Sequence, residues 1–283
     1  MSSSAPLSTS TSTSLSSTGI PIALTIAGSD SGGGAGIQAD LKAFSALGVF
    51  GCSALSSLTA QNTLGVQGVL PIPPEFVQQQ IQSVLSDINV GAIKTGMLAT
   101  ADIIAAVAES LTAYPQIPFV LDPVMVATSG DRLLAENAIQ ILIEKLLPLA
   151  TLITPNLHEA AVLLNEPVAL NLEQMQIQGE QLLRLGAKAV LMKGGHTDGE
   201  NATDLLITVD GVEAFSAPRL STNNTHGTGC TLASAIAAGL AKKLSLSESV
   251  KQAKDYLHNA LVHSEKLKIG QGAGPVHHFH AFY

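Results

Sequence analysis

Two glycine-rich stretches mark where this chain could hold an anion: Gly28-Ser29-Asp30-Ser31-Gly32-Gly33-Gly34-Ala35-Gly36 and His226-Gly227-Thr228-Gly229-Cys230. Each opens a helical pattern. Glycines let backbone N–H groups turn inward and approach an anion closely, and a helix N-terminus adds partial positive charge. Neither stretch is a P-loop, which ends in G-K-[ST], and neither has the full G-x-G-x-x-G spacing of a dinucleotide loop. A tight strand–helix connection accounts for either one alone. Two in one chain, followed by helices of small residues, favour phosphate or phosphoester binding.

Asp122 and Glu159 are acids at the ends of apolar strand patterns. Mg²⁺ takes few protein carboxylates and also binds substrate phosphates, so such a pair suits a nucleotide site. Glu159 equally suits the first turn of a helix, where acids are favoured. Lys193 stands just before Gly194-Gly195. It is either a compact counter-charge for a phosphate or a solvated strand-end lysine. Cys230 falls at the start of a helix, a position that lowers a thiol's pKa. A general base, a nucleophile and a small buried residue all remain open for it. The run His277-His278-Phe279-His280 has no Cys/His partner at zinc spacing and is not read as a metal site. No Ser-His-Asp or Cys-His constellation can be placed by spacing, so a covalent hydrolase is not supported.

The elements that must position these residues alternate along the chain. Strand patterns cover Ile20–Ala27, Cys52–Leu58, Val66–Ile72, Ala92–Thr95, Phe119–Leu121, Leu152–Thr154, Ala189–Lys193, Asp204–Val209 and Glu213–Ala217. The last two flank Asp210-Gly211, a hairpin signal. Helical spacing covers Ala35–Leu47, the segment from Pro73-Pro74 to Ile88, Ala101–Leu111, Leu133–Leu146, Asn156–Leu164, Leu172–Leu185, Thr228–Leu240 and Ser247–Leu267. This alternation predicts a mostly parallel α/β sheet with helices on both faces. Ligands of such sheets sit outside the carboxyl ends of the strands. Gly28, Asp122, Asn156, Glu159 and Lys193 all fall there, which predicts one site assembled from several strand ends.

Composition narrows the partners. The 283 residues carry a formal net charge of −8 with only 13% charged residues, so a nucleic-acid partner is not expected. No apolar run approaches the roughly eighteen residues that cross a bilayer. Two cysteines make no disulfide framework and suit a reducing, cytoplasmic setting. Thirteen of the first nineteen residues are Ser or Thr, with no Lys or Arg among them, so residues 1–19 are expected to be a disordered tail rather than a targeting segment. No linker divides residues 20–283, which predicts one domain there.

Together these motifs resemble the hydroxymethylpyrimidine/phosphomethylpyrimidine kinases of thiamine biosynthesis, in the ribokinase-like superfamily. The resemblance runs through the first glycine stretch to Lys42, Thr59-Ala60-Gln61-Asn62-Thr63, Lys94-Thr95-Gly96-Met97-Leu98 and Asp122-Pro123-Val124-Met125. It continues in Thr154-Pro155-Asn156-Leu157-His158-Glu159-Ala160, Lys193-Gly194-Gly195-His196 and the loop at His226–Cys230. It implies a ribokinase-like, doubly wound sheet with no separate large lid domain. It implies transfer of the γ-phosphoryl group of ATP to 4-amino-5-hydroxymethyl-2-methylpyrimidine, commonly followed by a second transfer to the monophosphate, and a homodimer. Gln61 would read the pyrimidine edge, since a carboxamide offers one donor and one acceptor. Gly28 and Asp40 would lie in the segment lining the substrate pocket, with Met97 and Val124 as apolar walls. Gly227, Thr228, Gly229 and Cys230 would form the anion hole, Lys193 would balance phosphate charge, and Asn156, Glu159 and Asp122 would serve Mg²⁺. Cys230 stands where most sugar kinases of the superfamily carry an aspartate base. The resemblance makes it a thiolate base and makes a sugar substrate less fitting.

Two rivals remain. A pyridoxal kinase has the same fold and a substrate with a hydroxymethyl on a six-membered nitrogen ring. A non-catalytic pyrimidine binder would leave Lys193, Glu159 and the glycine loop unexplained.

Overall fold

The computed structural model describes residues 19–125, 136–195 and 200–283. The Ser/Thr-rich segment up to Thr18, the start of the helix expected from Leu133, and His196 lie outside the described residues.

The strands are β1 Ile22–Ser29, β2 Phe50–Asn62, β3 Gly65–Pro71, β4 Ala92–Thr95, β5 Phe119–Leu121, β6 Leu152–Ile153, β7 Ala189–Met192, β8 Asn201–Thr208 and β9 Gly211–Pro218. They form one sheet in the order β3-β2-β1-β4-β5-β6-β7-β8-β9. The six inner strands from β2 to β7 pair in parallel, while β3, β8 and β9 join antiparallel. The doubly wound α/β expectation therefore holds. Among the described residues no separate lid domain is present. No described helix is long and apolar enough to cross a membrane.

The helices are α1 Gly36–Ala46, α2 Pro74–Leu85, α3 Ala101–Thr112, α4 Glu136–Ile141, α5 Leu157–Leu164, α6 Leu172–Arg184, α7 Thr228–Ala241 and α8 Leu246–Val262. Strand residues alternate between two cores. Leu24, Ile93, Leu121, Ile153 and Val190 face α2 to α6. Ala23, Ala92, Val120, Leu152 and Ala189 face α1, α7 and α8. The second face carries more alanine, and so does α7, buried throughout from Thr231 to Ala241. Small side chains on both surfaces let α7 lie close under the sheet, as an all-round apolar helix must. Its N-terminus, the His226–Cys230 loop, is thereby aimed at the ends of the central strands.

Two local expectations shift. The final hairpin turns at Val209-Asp210, with Thr208 paired to Gly211, one residue before the Asp-Gly signal. The helix expected over Leu133–Leu146 widens after α4 into a π-helical turn at Leu142–Leu146.

Candidate active site

Strand order reverses between β1 and β4, where crevices form in such sheets. A cavity of about 800 Å³ opens there at the carboxyl ends of the strands. Gly28, Gln61, Met97, Asp122, Val124, Asn156, Glu159, Lys193, Gly227, Thr228, Gly229 and Cys230 all line it. Asp40 does not. It is fully buried, accepting hydrogen bonds from Thr25, Ser234 and Lys94 at 2.6–3.0 Å. The helical pattern of α1 places Asp40 on the face turned to the core, where it holds Lys94 and cannot touch a ligand.

The two glycine stretches differ in what occupies their amides. In the first, the Asp30 carboxylate accepts from the N–H groups of Gly32, Gly34 and Ala35 at 2.8–2.9 Å. Burial pulls the Asp30 pKa upward, but the His226 hydrogen bond and the amides outweigh it, so the carboxyl sits below its ordinary value. This stretch already holds an anion of its own chain.

In the second, Gly227 caps α7 in the left-handed region at φ +79°. A Cβ there would collide with the Gly34 carbonyl, so only glycine lets the two stretches meet. Thr228 N–H donates to the Thr225 carbonyl at 3.2 Å, which removes it from the expected set of anion-hole donors. The amides of Gly229 and Cys230 donate to no group among the described residues, as befits a first helical turn. A Cβ on Gly229 would stand 3.4 Å from Lys193 Nζ and 3.7 Å from Asp122 Oδ2. Gly229 therefore stands beside a lysine and an acid.

Lys193 follows β7, and its N–H donates to the Pro155 carbonyl at 2.9 Å. Its Nζ lies 3.1 Å from Asp122 Oδ1 and 3.7 Å from Glu159 Oε2. Burial acts to lower its pKa, but the two acids outweigh this and hold it protonated above its ordinary value. Asn156 and Glu159 form a reciprocal cap on α5: Asn156 Oδ1 accepts from Glu159 N–H and Glu159 Oε2 from Asn156 N–H. The carboxamide oxygen of Asn156 thus positions Glu159. Burial first, opposed by Lys193 and reinforced by Asp122, pushes the Glu159 carboxyl up to about 7.

These residues fit a divalent cation. Among the described residues Asp122 Oδ2 is buried without a partner, and Glu159 is an acid whose charge is poorly compensated. Asp122 and Glu159 both share the Lys193 cation, so added positive charge is favoured. Among the described residues no set of three His, Cys, Asp or Glu groups surrounds a metal position. Mg²⁺ does not need one, since it keeps waters and phosphate oxygens in its shell.

Cys230 departs from expectation. Burial raises its thiol, Lys94 lowers it, Asp40 and Asp122 raise it, and the result is about 11. Desolvation overrides the helix terminus, so the resting thiol is protonated at neutral pH.

Several contributors have no role in the motif reading. Lys94 is a fully buried cation paired to Asp40 at 2.8 Å. Its signal was a lysine inside the apolar strand pattern Ala92–Thr95, which demands a buried partner. His226 bonds Asp30 at 2.9 Å and joins the two stretches. Leu220, Leu257 and Leu261 also line the cavity. They come from a loop and α8 and carry no motif.

Anion-binding amides, a lysine and paired acids at the switch point of a ribokinase-like α/β sheet define a small-molecule kinase. A family model described as phosphomethylpyrimidine kinase matches residues 30–277, and the chain belongs to that family. It is 53% identical over 257 residues to the hydroxymethylpyrimidine/phosphomethylpyrimidine kinase of Escherichia coli, covering 91% of this chain and 97% of that one. It is similar in structure to phosphomethylpyrimidine kinase from Clostridium difficile, at 43% identity and TM-score 0.76, covering 84% and 98% of the two chains. It is also similar to Bacillus subtilis pyridoxal kinase in its ADP complex, at 38% identity and TM-score 0.85, covering 92% and 98%.

Proposed function

We propose that this kinase moves the γ-phosphoryl group of ATP to the hydroxymethyl oxygen of 4-amino-5-hydroxymethyl-2-methylpyrimidine, and then phosphorylates the monophosphate. The carrying observation is one cavity lined by Gln61, Asp122, Lys193, Gly229 and Cys230, with Gly229 beside Lys193 and Asp122. Gln61 fixes the ring, with Met97 and Val124 as apolar walls. The hydroxymethyl group then reaches Cys230.

Phosphoryl transfer is loose, so positioning and charge stabilisation carry most of it. The substrate oxygen bonds to phosphorus as the bond to the bridging oxygen breaks, and ADP leaves with that electron pair. The Gly229 and Cys230 amides and Lys193 receive the charge on the transferring oxygens. Mg²⁺, when bound by Asp122 and Glu159, neutralises phosphate charge. The hydroxyl proton passes to the Cys230 sulfur in its thiolate form. A raised pKa makes that thiolate scarce but a strong proton acceptor.

A second substrate class, pyridine alcohols of the vitamin B6 type, is favoured by the similarity to pyridoxal kinase. A homodimer is supported by exposed Val69 and Leu70 on the edge strand β3. Magnesium-dependent ADP release on adding the aminopyrimidine alcohol tests the proposal. No release with that alcohol contradicts it.

A further inference from the structure

The Gln61 carboxamide touches two groups whose hydrogens are committed elsewhere. His226 Nε2 lies 2.9 Å from Asp30 Oδ2. An ionised carboxylate only accepts, so His226 Nε2 carries the proton. Gln61 Nε2 lies 3.4 Å from the same nitrogen, which sets two N–H groups against each other. On the other side, Thr59 Oγ1 lies 2.8 Å from the Ser29 carbonyl and 3.1 Å from Gln61 Oε1. A hydroxyl has one proton, and the carbonyl at the shorter distance takes it. Thr59 then offers only lone pairs to Gln61, facing an oxygen.

Turning the carboxamide by 180° resolves both conflicts at once, because its two ends have nearly the same shape. Oε1 then meets the His226 N–H, and Nε2 donates to Thr59. We propose that Thr59 and the Asp30–His226 pair are specificity-positioning residues. They hold Gln61 with its acceptor toward the His226 loop and its donor toward β2. A ligand ring is then selected for a donor substituent on the loop side, beside a ring acceptor farther away. An amino group adjacent to the reacting hydroxymethyl, followed by a ring nitrogen, has this order. A 4-oxo ring, with a carbonyl and then an N–H, has the reverse. The inference rests on Gln61 reading the ring edge.

The test is kcat/KM for the 4-amino alcohol divided by that for its 4-oxo analogue. Thr59→Val is expected to lower this ratio about tenfold, the scale of one bidentate contact. Thr59→Ser is expected to restore it, and His226→Phe to lower it as Thr59→Val does. A structural defect alone would weaken both substrates together and leave the ratio unmoved. An unchanged ratio in Thr59→Val and His226→Phe, with strong discrimination in the wild type, overturns the proposal. Gln61→Leu separates the underlying reading: unaltered KM for the 4-amino alcohol there means that Gln61 does not read the ring at all.

Discussion

Lys193 Nζ meets Asp122 Oδ1 at 3.1 Å while the other oxygen of the same carboxylate is buried with no partner among the described residues. Half of Asp122 is thus held by a fixed cation and half is left for a ligand. Glu159, 3.7 Å from the same lysine, completes a cluster with more acid than base. Such strain is what a stable core avoids and a phosphate–metal site needs.

That cluster predicts a trade between stability and turnover at Glu159. Its folded-state pKa of about 7 lies above the ordinary 4.5, so the folded chain binds the proton more tightly than the unfolded one. Stability contributed by the neutral acid is full below pH 4.5 and is lost as pH rises through 7. Glu159→Gln removes that loss. Without ligands at pH 8 the variant is expected to gain about 1–3 kcal/mol in chemical denaturation, while turnover falls. Lower stability than wild type at pH 8 contradicts the reading of Glu159 as an undercompensated acid.

The two glycines of the anion loop are expected to fail differently. Gly227→Ala puts a side chain at φ +79° against the Gly34 carbonyl, so it should lower the melting temperature. Among the described residues Gly229→Ala meets Lys193 and Asp122 at 3.4–3.7 Å and should fold. Its methyl sits where the transferring oxygens belong, and turnover should fall about a hundredfold, the scale of a displaced reacting group. Equal melting temperatures with equal activities would remove the distinction.

At Cys230 the pKa of about 11 gives the base role a definite pH signature. Only the thiolate accepts a proton, so the single-turnover rate should climb with pH from 6 to 10, about tenfold per unit where thiolate is limiting. Cys230→Ala should lose the climb and most of the turnover while keeping KM for the pyrimidine. A flat wild-type profile over that range assigns the proton elsewhere.

Lys94 lies beneath the site with no exposed surface. Asp40 raises its pKa against the burial that would lower it. Lys94→Met leaves Asp40 buried without its cation and is expected to cost about 3–5 kcal/mol. Urea denaturation measures it, and a cost below about 1 kcal/mol would show that the pair is not structural.

The sequence carried the central strands well. Ala92–Thr95 and Phe119–Leu121 are short apolar runs buried on both faces, and their bounds match the expectation residue for residue. β2 was read as Cys52–Leu58 but extends to Asn62, because its last turns carry polar Thr59 and Gln61 into the cavity. Twelve of the thirteen proposed site residues line that cavity, since strand ends converge whatever the side chains. Asp40 failed because spacing shows that a residue is helical and not what its face meets. Cys230 failed in pKa because burial, reinforced by the Asp40 and Asp122 charges, outweighs Lys94, and spacing shows neither the burial nor those sequence-remote neighbours. Asp30 was in view but uninterpreted; an acid just before a glycine run can bind that run itself.

Product analysis after incubation with ATP, Mg²⁺ and 4-amino-5-hydroxymethyl-2-methylpyrimidine tests the central claim most directly. Phosphate on the hydroxymethyl oxygen, formed at a kcat/KM above that for pyridoxine and abolished in Lys193→Met, is the predicted result. Absence of any phosphorylated pyrimidine, from a folded chain that still binds ATP, would contradict it.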